Sequence, residues 1–176
     1  MSVAQPQTTT TWTFDPAHSA VNFSAKHMMV TTVRGQFKEV NGTIHEDATN
    51  PAGSWVEVDI DAASVDTRND QRDTHLRSAD FLDVENFPRI TFKSTGVDVL
   101  SADQFKVTGD LTVRGVTHPV TLETTLNGRG ATPYGTEVVG LTLKGSISRK
   151  EWDLNWNVAL EAGGVLVSDK VNIDIE

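Results

Sequence analysis

No cysteine occurs among the 176 residues, so disulfides and thiolate metal sites are excluded and redox chemistry leaves no mark of the compartment. No stretch approaches the ~20 consecutive apolar residues of a membrane span. The opening MSVAQPQTTTTW lacks both the cationic start and the apolar run of a secretory signal. A cytoplasmic chain is therefore expected, or a periplasmic or secreted one if a leader has been removed. Cations are also scarce, 15 Lys and Arg against 24 Asp and Glu for a formal charge of −9, so phosphate backbones repel the chain and no nucleic-acid partner is expected. The histidines, at 18, 27, 45, 75 and 118, have neither His-x-His nor His-Glu-x-x-His spacing, and no metal site is expected. Gly-x-Ser-x-Gly, a glycine-rich phosphate loop and a dinucleotide fingerprint are all missing. Without a nucleophile or a metal the expected class is a binder, not an enzyme, with no required cofactor.

What is present is alternation. In AVNFSAKHM, Val21, Phe23, Ala25 and His27 share one face; in SWVEVDI, Val56, Val58 and Ile60 do; in RITFKST, Ile90 and Phe92. QFKVTGDLTVRGVTHPVTLETTLNG reads as a hairpin turning at Arg114-Gly115, with Phe105, Val107, Leu111 and Val113 on one arm and Val116, His118, Val120, Leu122 and Leu126 on the other. EVVGLTLKGSISR aligns Val139, Leu141, Leu143, Ile147 and Arg149, and VRGQFKEVNGTIH carries a turn or bulge signal at Asn41-Gly42. Residues 1–11 read as a disordered tail and 12–176 as one domain. Strands apolar on one side and joined by hairpins predict an antiparallel sheet that closes on itself, as an eight-stranded barrel or a sandwich. An eight-stranded barrel is either filled by side chains or open to one ligand. Aromatic content of 7% and inward sets rich in Val, Ala, Leu and Thr favour the open form.

One segment breaks the pattern. Across TRNDQRDTHLRSADFLDVENFP the spacing changes to three and four, predicting a helical insertion over about 68–83 that ends in Phe81, Leu82 and Phe87. Arg68, Arg72, His75, Leu76 and Ala79 form one stripe, and Asp73 and Arg77, four apart, are placed for a surface ion pair. Such a helix would cover the mouth of a barrel. Arg72 and His75 would then either hold an anionic or carbonyl-bearing head group, or cap strand ends and pair with a nearby Asp. His27 and Arg149 both end apolar tracks, and a buried Arg149 must meet an acid such as Asp169, a carbonyl or a ligand oxygen.

WTFDPAHSAVNFSAKHMMVTTVRGQF, SVDTRNDQRDTHLRSADFLDVENFPRITFKS, VTGDLTVRGVTHPVTL and SDKVNIDIE, in that order from Trp12 to Glu176, resemble the YceI-like family of polyisoprenoid-binding proteins. The resemblance implies an extended lipocalin-like antiparallel barrel holding a long isoprenoid chain, with isoprenoid quinones or polyprenyl phosphates as ligands and a homodimer as the assembly. Motif positions that carry over are His27, Arg34-Gly35, Arg72, Asp73, His75, Leu76, Phe81, Ile147 and Arg149. The expected tail-lining residues are Val21, Phe23, Ala25, Phe37, Val58 and Leu76, with Phe81, Phe92, Leu111, Val120, Leu122 and Leu141. The expected mouth residues are His27, Arg72, His75 and Arg149. The function implied is non-enzymatic sequestration or transport of such a lipid. The alternatives are an enzyme on an isoprenoid lipid using His75 or His27 as base, and a stress-related interaction protein with the barrel as scaffold.

Overall fold

The computed structural model describes residues 9–176. Its strands are β1 Thr9–Thr13, β2 Val21–His27, β3 Thr31–Phe37, β4 Val40–Asp47, β5 Trp55–Asp61, β6 Val65–Asp66, β7 Arg89–Val99, β8 Gln104–Val113, β9 Val116–Ala131, β10 Glu137–Ser148 and β11 Val167–Ile175. One α-helix, α1, covers Asp70–Arg77. The strands make one sheet in the order β1-β4-β5-β7-β8-β9-β10-β11-β2-β3-β6.

An all-β antiparallel architecture with one short helix is as the alternation predicts, but the strands number eleven among the described residues, not eight. Two come from VRGQFKEVNGTIH, which divides at Lys38–Glu39 into β3 and β4. Asn41-Gly42 is neither turn nor bulge: both pair inside β4, opposite Asp59 and Val58. Gly42 is there because a Cβ would sit 2.9 Å from the Phe14 ring, which lies across it. Thr9–Thr11, expected in the tail, pair with Asp47–His45 of β4. The rest of that tail lies outside the described residues.

The sheet is curled. Ala62–Ser64 make a single 3-10 turn after β5, so β6 follows β5 directly, yet β6 pairs with β3 at the opposite margin through Gln36–Asp66 and Phe37–Val65. The amide of Lys38 donates to the Ser64 carbonyl at 3.2 Å and that of Asp61 to Glu39 at 2.9 Å, continuing the seam. The remaining margin of β3, Thr31–Gly35, has no strand partner on that side among the described residues. β8 and β9 join at Arg114-Gly115, whose φ values of 50° and 73° give the two-residue turn that matches strand twist.

The core lies on the concave face. Val21, Ile60, Ile90, Phe92, Val107, Val113, Val120, Leu122 and Trp152 are buried together there, mostly from β5, β7, β8 and β9. Along β10, β11, β2 and β3 the inward positions are equally apolar but less buried, and that contrast locates the site.

Candidate functional site

Inward-facing residues follow from the register. Leu143 opposes Ile175 and Gly145 opposes Ile173 between β10 and β11. Ile175, Ile173 and Val171 oppose Val21, Phe23 and Ala25 of β2, which in turn oppose Phe37, Gly35 and Val33 of β3. Apart from Val21 and Gly35, every residue in this patch stays half-buried, so the inner face keeps apolar surface partly open along these strands. Two hollows of about 260 and 420 Å³ lie elsewhere, on the outer face, and are lined by polar groups such as Glu123, Lys144 and Asn172. Their walls suit water, not hydrocarbon.

The expected lining residues divide into three sets. Val21, Phe92, Val120 and Leu122 belong to the buried core, and Phe37, Val58 and Leu111 pack against it. Phe23, Ala25 and Leu141 lie outside that cluster on the less-filled side. Phe81 is buried, 8% exposed, in a separate aromatic group, and Leu76 is half-buried; both lie outside the core cluster.

α1 is docked beside β6. Asn69 caps it, its side chain accepting from the Arg72 amide at 2.9 Å, and Asp70 and Asp73 occupy the first turn where the helix dipole favours acids. Eight residues are too few to hold a helix in isolation; tertiary anchors do it. Arg72 donates from Nε to Thr67 Oγ1 at 2.7 Å and from Nη2 to the Thr67 carbonyl at 2.8 Å. Arg77 donates to the carbonyls of Ala63 and Val65 at 2.8 and 2.9 Å. The expected Asp73–Arg77 surface pair is therefore not formed. Asp73 is 4% exposed and accepts from the Thr67 amide at 2.9 Å and hydroxyl at 2.5 Å. A buried carboxylate needs such donors.

After α1 the chain wraps over the β8–β9 turn, where Arg114 donates to the Phe81 carbonyl at 3.0 Å and the Phe87 ring covers Gly115. His75 packs edge-on against Phe81 at 5.1 Å and against Trp156 at 4.5 Å, and its Nε2 is 2.8 Å from Asp80 Oδ2. Among the four expected mouth residues, His75 is the half-exposed polar group in this aromatic cluster. His27 sits at the same end, where β2 turns into β3 and pairs with Thr31 and Val167.

Arg149 is 3% exposed in the 3-10 turn Arg149–Trp152 that follows β10. Its Nε donates to the Ser168 carbonyl at 2.9 Å, Nη2 to Val167 at 3.4 Å and Nη1 to Leu154. Three carbonyls thus meet the guanidinium, while Asp169 accepts from Ser148 Oγ at 2.5 Å instead. Burial pushes the Arg149 pKa down from its usual value, and nearby Asp169 opposes that shift. The side chain binds the irregular start of β11 to β10.

Sequence reading overlooked the other end. Glu46 follows Val40, Gly42 and Ile44 on the inward track of β4. Its carboxylate accepts from Trp12 Nε1 at 2.8 Å and from Arg129 Nη1 at 3.1 Å, with a second contact from Nη2. The Arg129 guanidinium lies 5.9 Å from the Trp12 ring centre. An acid ending an apolar track is the same signal that singled out Arg149. Among the described residues no group of three or more His, Asp or Glu side chains lies together as metal ligands. No described helix is long and apolar enough to cross a membrane.

Residues 12–176 match the family model of the YceI-like domain. The chain belongs to the YceI-like family. A UPF0312 protein of Staphylococcus aureus is 36% identical over 166 residues, spanning 94% of each chain. Among solved structures, Burkholderia cenocepacia BcnA superposes with a TM-score of 0.78 at 25% identity, covering 92% of this chain and 96% of that one. A Campylobacter jejuni YCEI protein gives 0.73 at 30% identity, with 94% of each chain covered. The same fold, at 17% identity and a TM-score of 0.61, occurs in a polyisoprenoid-binding domain of Saccharophagus degradans, with 96% and 95% covered. The YceI-like assignment accounts for the lipocalin-like curl and the one short α-helix among the described residues.

Proposed function

We propose that this protein binds a long-chain isoprenoid lipid without transforming it, laying the tail along the half-buried inner patch of β2, β3, β10 and β11. One observation carries the reading: Phe23, Ala25, Phe37, Leu143, Ile173 and Ile175 face inward and remain partly exposed. Covering ~400 Å² of such surface and tail stabilises the complex by about 10 kcal/mol before ordering costs. The YceI-like family and the polyisoprenoid-binding domain that shares its fold support the same ligand class.

The head group belongs at the α1 end. A flat, carbonyl-bearing quinone ring suits the aromatic edges of Phe81 and Trp156, with His75 as hydrogen-bond partner. All three Arg149 nitrogens and two of Arg72 are engaged by protein oxygens. Among the described residues His75 is engaged through Nε2 alone, on Asp80, and the second ring nitrogen of this half-exposed side chain supports His75 as the group that meets the ligand. Organic extraction of the purified protein, followed by mass spectrometry of the extract and native mass spectrometry of the complex, tests the reading. A stoichiometric isoprenoid is the expected result. A clean apoprotein that also refuses added quinones and polyprenyl phosphates overturns it.

A further inference from the structure

We propose that Trp12, Glu46 and Arg129 form a distal stop that sets the longest isoprenoid tail the protein accepts, an inference that rests on the lipid-binding reading above.

Trp12 and Glu46 lie on the paired strands β1 and β4, while Arg129 comes from β9, which neighbours neither. β4 and β9 stand four places apart in the sheet, with β5, β7 and β8 between them. A direct contact between their side chains therefore crosses the concavity. Glu46 shares the face of Val40 and Ile44, and Trp12 opposes Ile44. Arg129 opposes Val139, which shares its face of β10 with Leu141 and Leu143. The apolar track Ile147, Leu143, Leu141, Val139 thus runs from the α1 end straight to the guanidinium.

Chemistry makes this junction a barrier to hydrocarbon. The carboxylate has three donors, one from Trp12 and two from Arg129. Displacing them with a tail would strip the mostly covered Glu46 carboxylate of its donors, although the half-exposed Arg129 can turn to water. Asn127 is the extra residue where the β9–β10 register shifts, and Gly128 faces Gly140 just beyond it. Irregularities of this kind bend a strand, and the arm beyond this one carries the Arg129 that reaches Glu46 of β4. Along β9, His118 to Arg129 spans about 36 Å of strand, less along the barrel axis because strands tilt. Tails shorter than this length end before the stop, and longer ones meet it.

The test is binding of a homologous series of isoprenoid quinones, differing only in the number of isoprene units, to the full chain. In the wild type, affinity is expected to rise with each unit and then stop rising at a defined length. In Glu46→Ala/Arg129→Ala that length moves up, while affinities for short tails stay within about twofold. The exchanged pair Glu46→Arg/Arg129→Glu restores the original length. If the alanine pair does not fold, Arg129→Lys, with a shorter reach and no fork, gives the same shift to a smaller degree. A wild type without a limiting length, or folded variants with an unchanged one, overturns the stop and leaves lipid binding standing. A wild type that binds no quinone of any length overturns lipid binding and the stop together.

Discussion

Two residues that look alike in the sequence, each a charge close to apolar neighbours, have their partners fixed by the protein itself. Asp73 is buried, with both the amide and hydroxyl of Thr67 pointing at it. Asp73→Ala leaves those donors unsatisfied and is expected to lower the unfolding free energy by about 2–3 kcal/mol, read by urea denaturation, with Asp73→Asn milder. Arg149→Met removes the donors to three carbonyls and is expected to cost about 3 kcal/mol. The relative affinities for charged and neutral head groups should be unchanged in that variant by a binding titration; a selective loss of charged ligands would return Arg149 to the mouth. The sequence called for a partner to Arg149 because a guanidinium is not buried alone. It could not choose among carbonyl, acid and ligand, since that depends on where β11 starts. Glu46 was equally readable from its track, but its partner Arg129 lies 83 residues away.

At the scale of elements, the strands were legible because each has one greasy face, and the hairpin at Arg114-Gly115 because glycine tolerates the turn's positive φ. The β2–β3 turn was not, since Met28 and Met29 take positive φ with no glycine to announce it. The Asn41-Gly42 signal misled because the glycine answers to Phe14, a neighbour in space and not in turn chemistry. Close approach of this kind recurs inside the sheet and can be graded. A Cβ on Gly35 would lie 2.4 Å from the tip of the Phe23 ring and 2.8 Å from the Thr67 methyl, side-chain atoms in both cases. A Cβ on Gly109 would lie 2.5 Å from Phe92 in the packed core and 2.6 Å from the Lys93 carbonyl, which cannot move without the strand. Gly109→Ala is therefore expected to destabilise by about 2–3 kcal/mol and Gly35→Ala by about 1 kcal/mol, compared by thermal unfolding. Equal costs would mean that the inner face of β2 is as tightly filled as that of β7.

For the whole molecule, the antiparallel class was readable from alternation, while its degree of curl was not, because periodicity fixes which face is inside and not which strands meet across it. The joining of β6 to β3 depends on a single 3-10 turn, Ala62–Ser64, capped by the Asp61 side chain and closed by the Ser64 hydroxyl on the Asp61 carbonyl, local signals that mark a turn but not the strand it leads to. Charge balance also acts at this scale. Hydrogen bonds from Arg129 hold the Glu46 carboxyl below its ordinary pKa, and the Ser148 hydroxyl does the same for Asp169. A carboxyl whose folded pKa is depressed binds protons more readily in the unfolded chain. Its contribution is full above the unfolded pKa and lost as pH falls through the folded one. The melting temperature should accordingly hold steady near neutrality and fall below about pH 4. In Glu46→Gln the acid limb of that curve should be shallower; an unchanged limb would show that the Trp12–Glu46–Arg129 junction does not couple to folding.

The margin of β3 from Thr31 to Gly35 has no strand bonded to it among the described residues, and at Gly35 the Thr67 methyl packs against it instead. Side-chain packing parts at lower cost than a hydrogen-bonded ladder, so this seam is the place where a flexible rod could be laid in from the side. A tube that stays sealed must be threaded from one end, and each added isoprene unit then slows uptake. For a ligand held on this inner face, association rates that stay flat across the tail series would show the seam parting, and rates that fall with tail length would show threading.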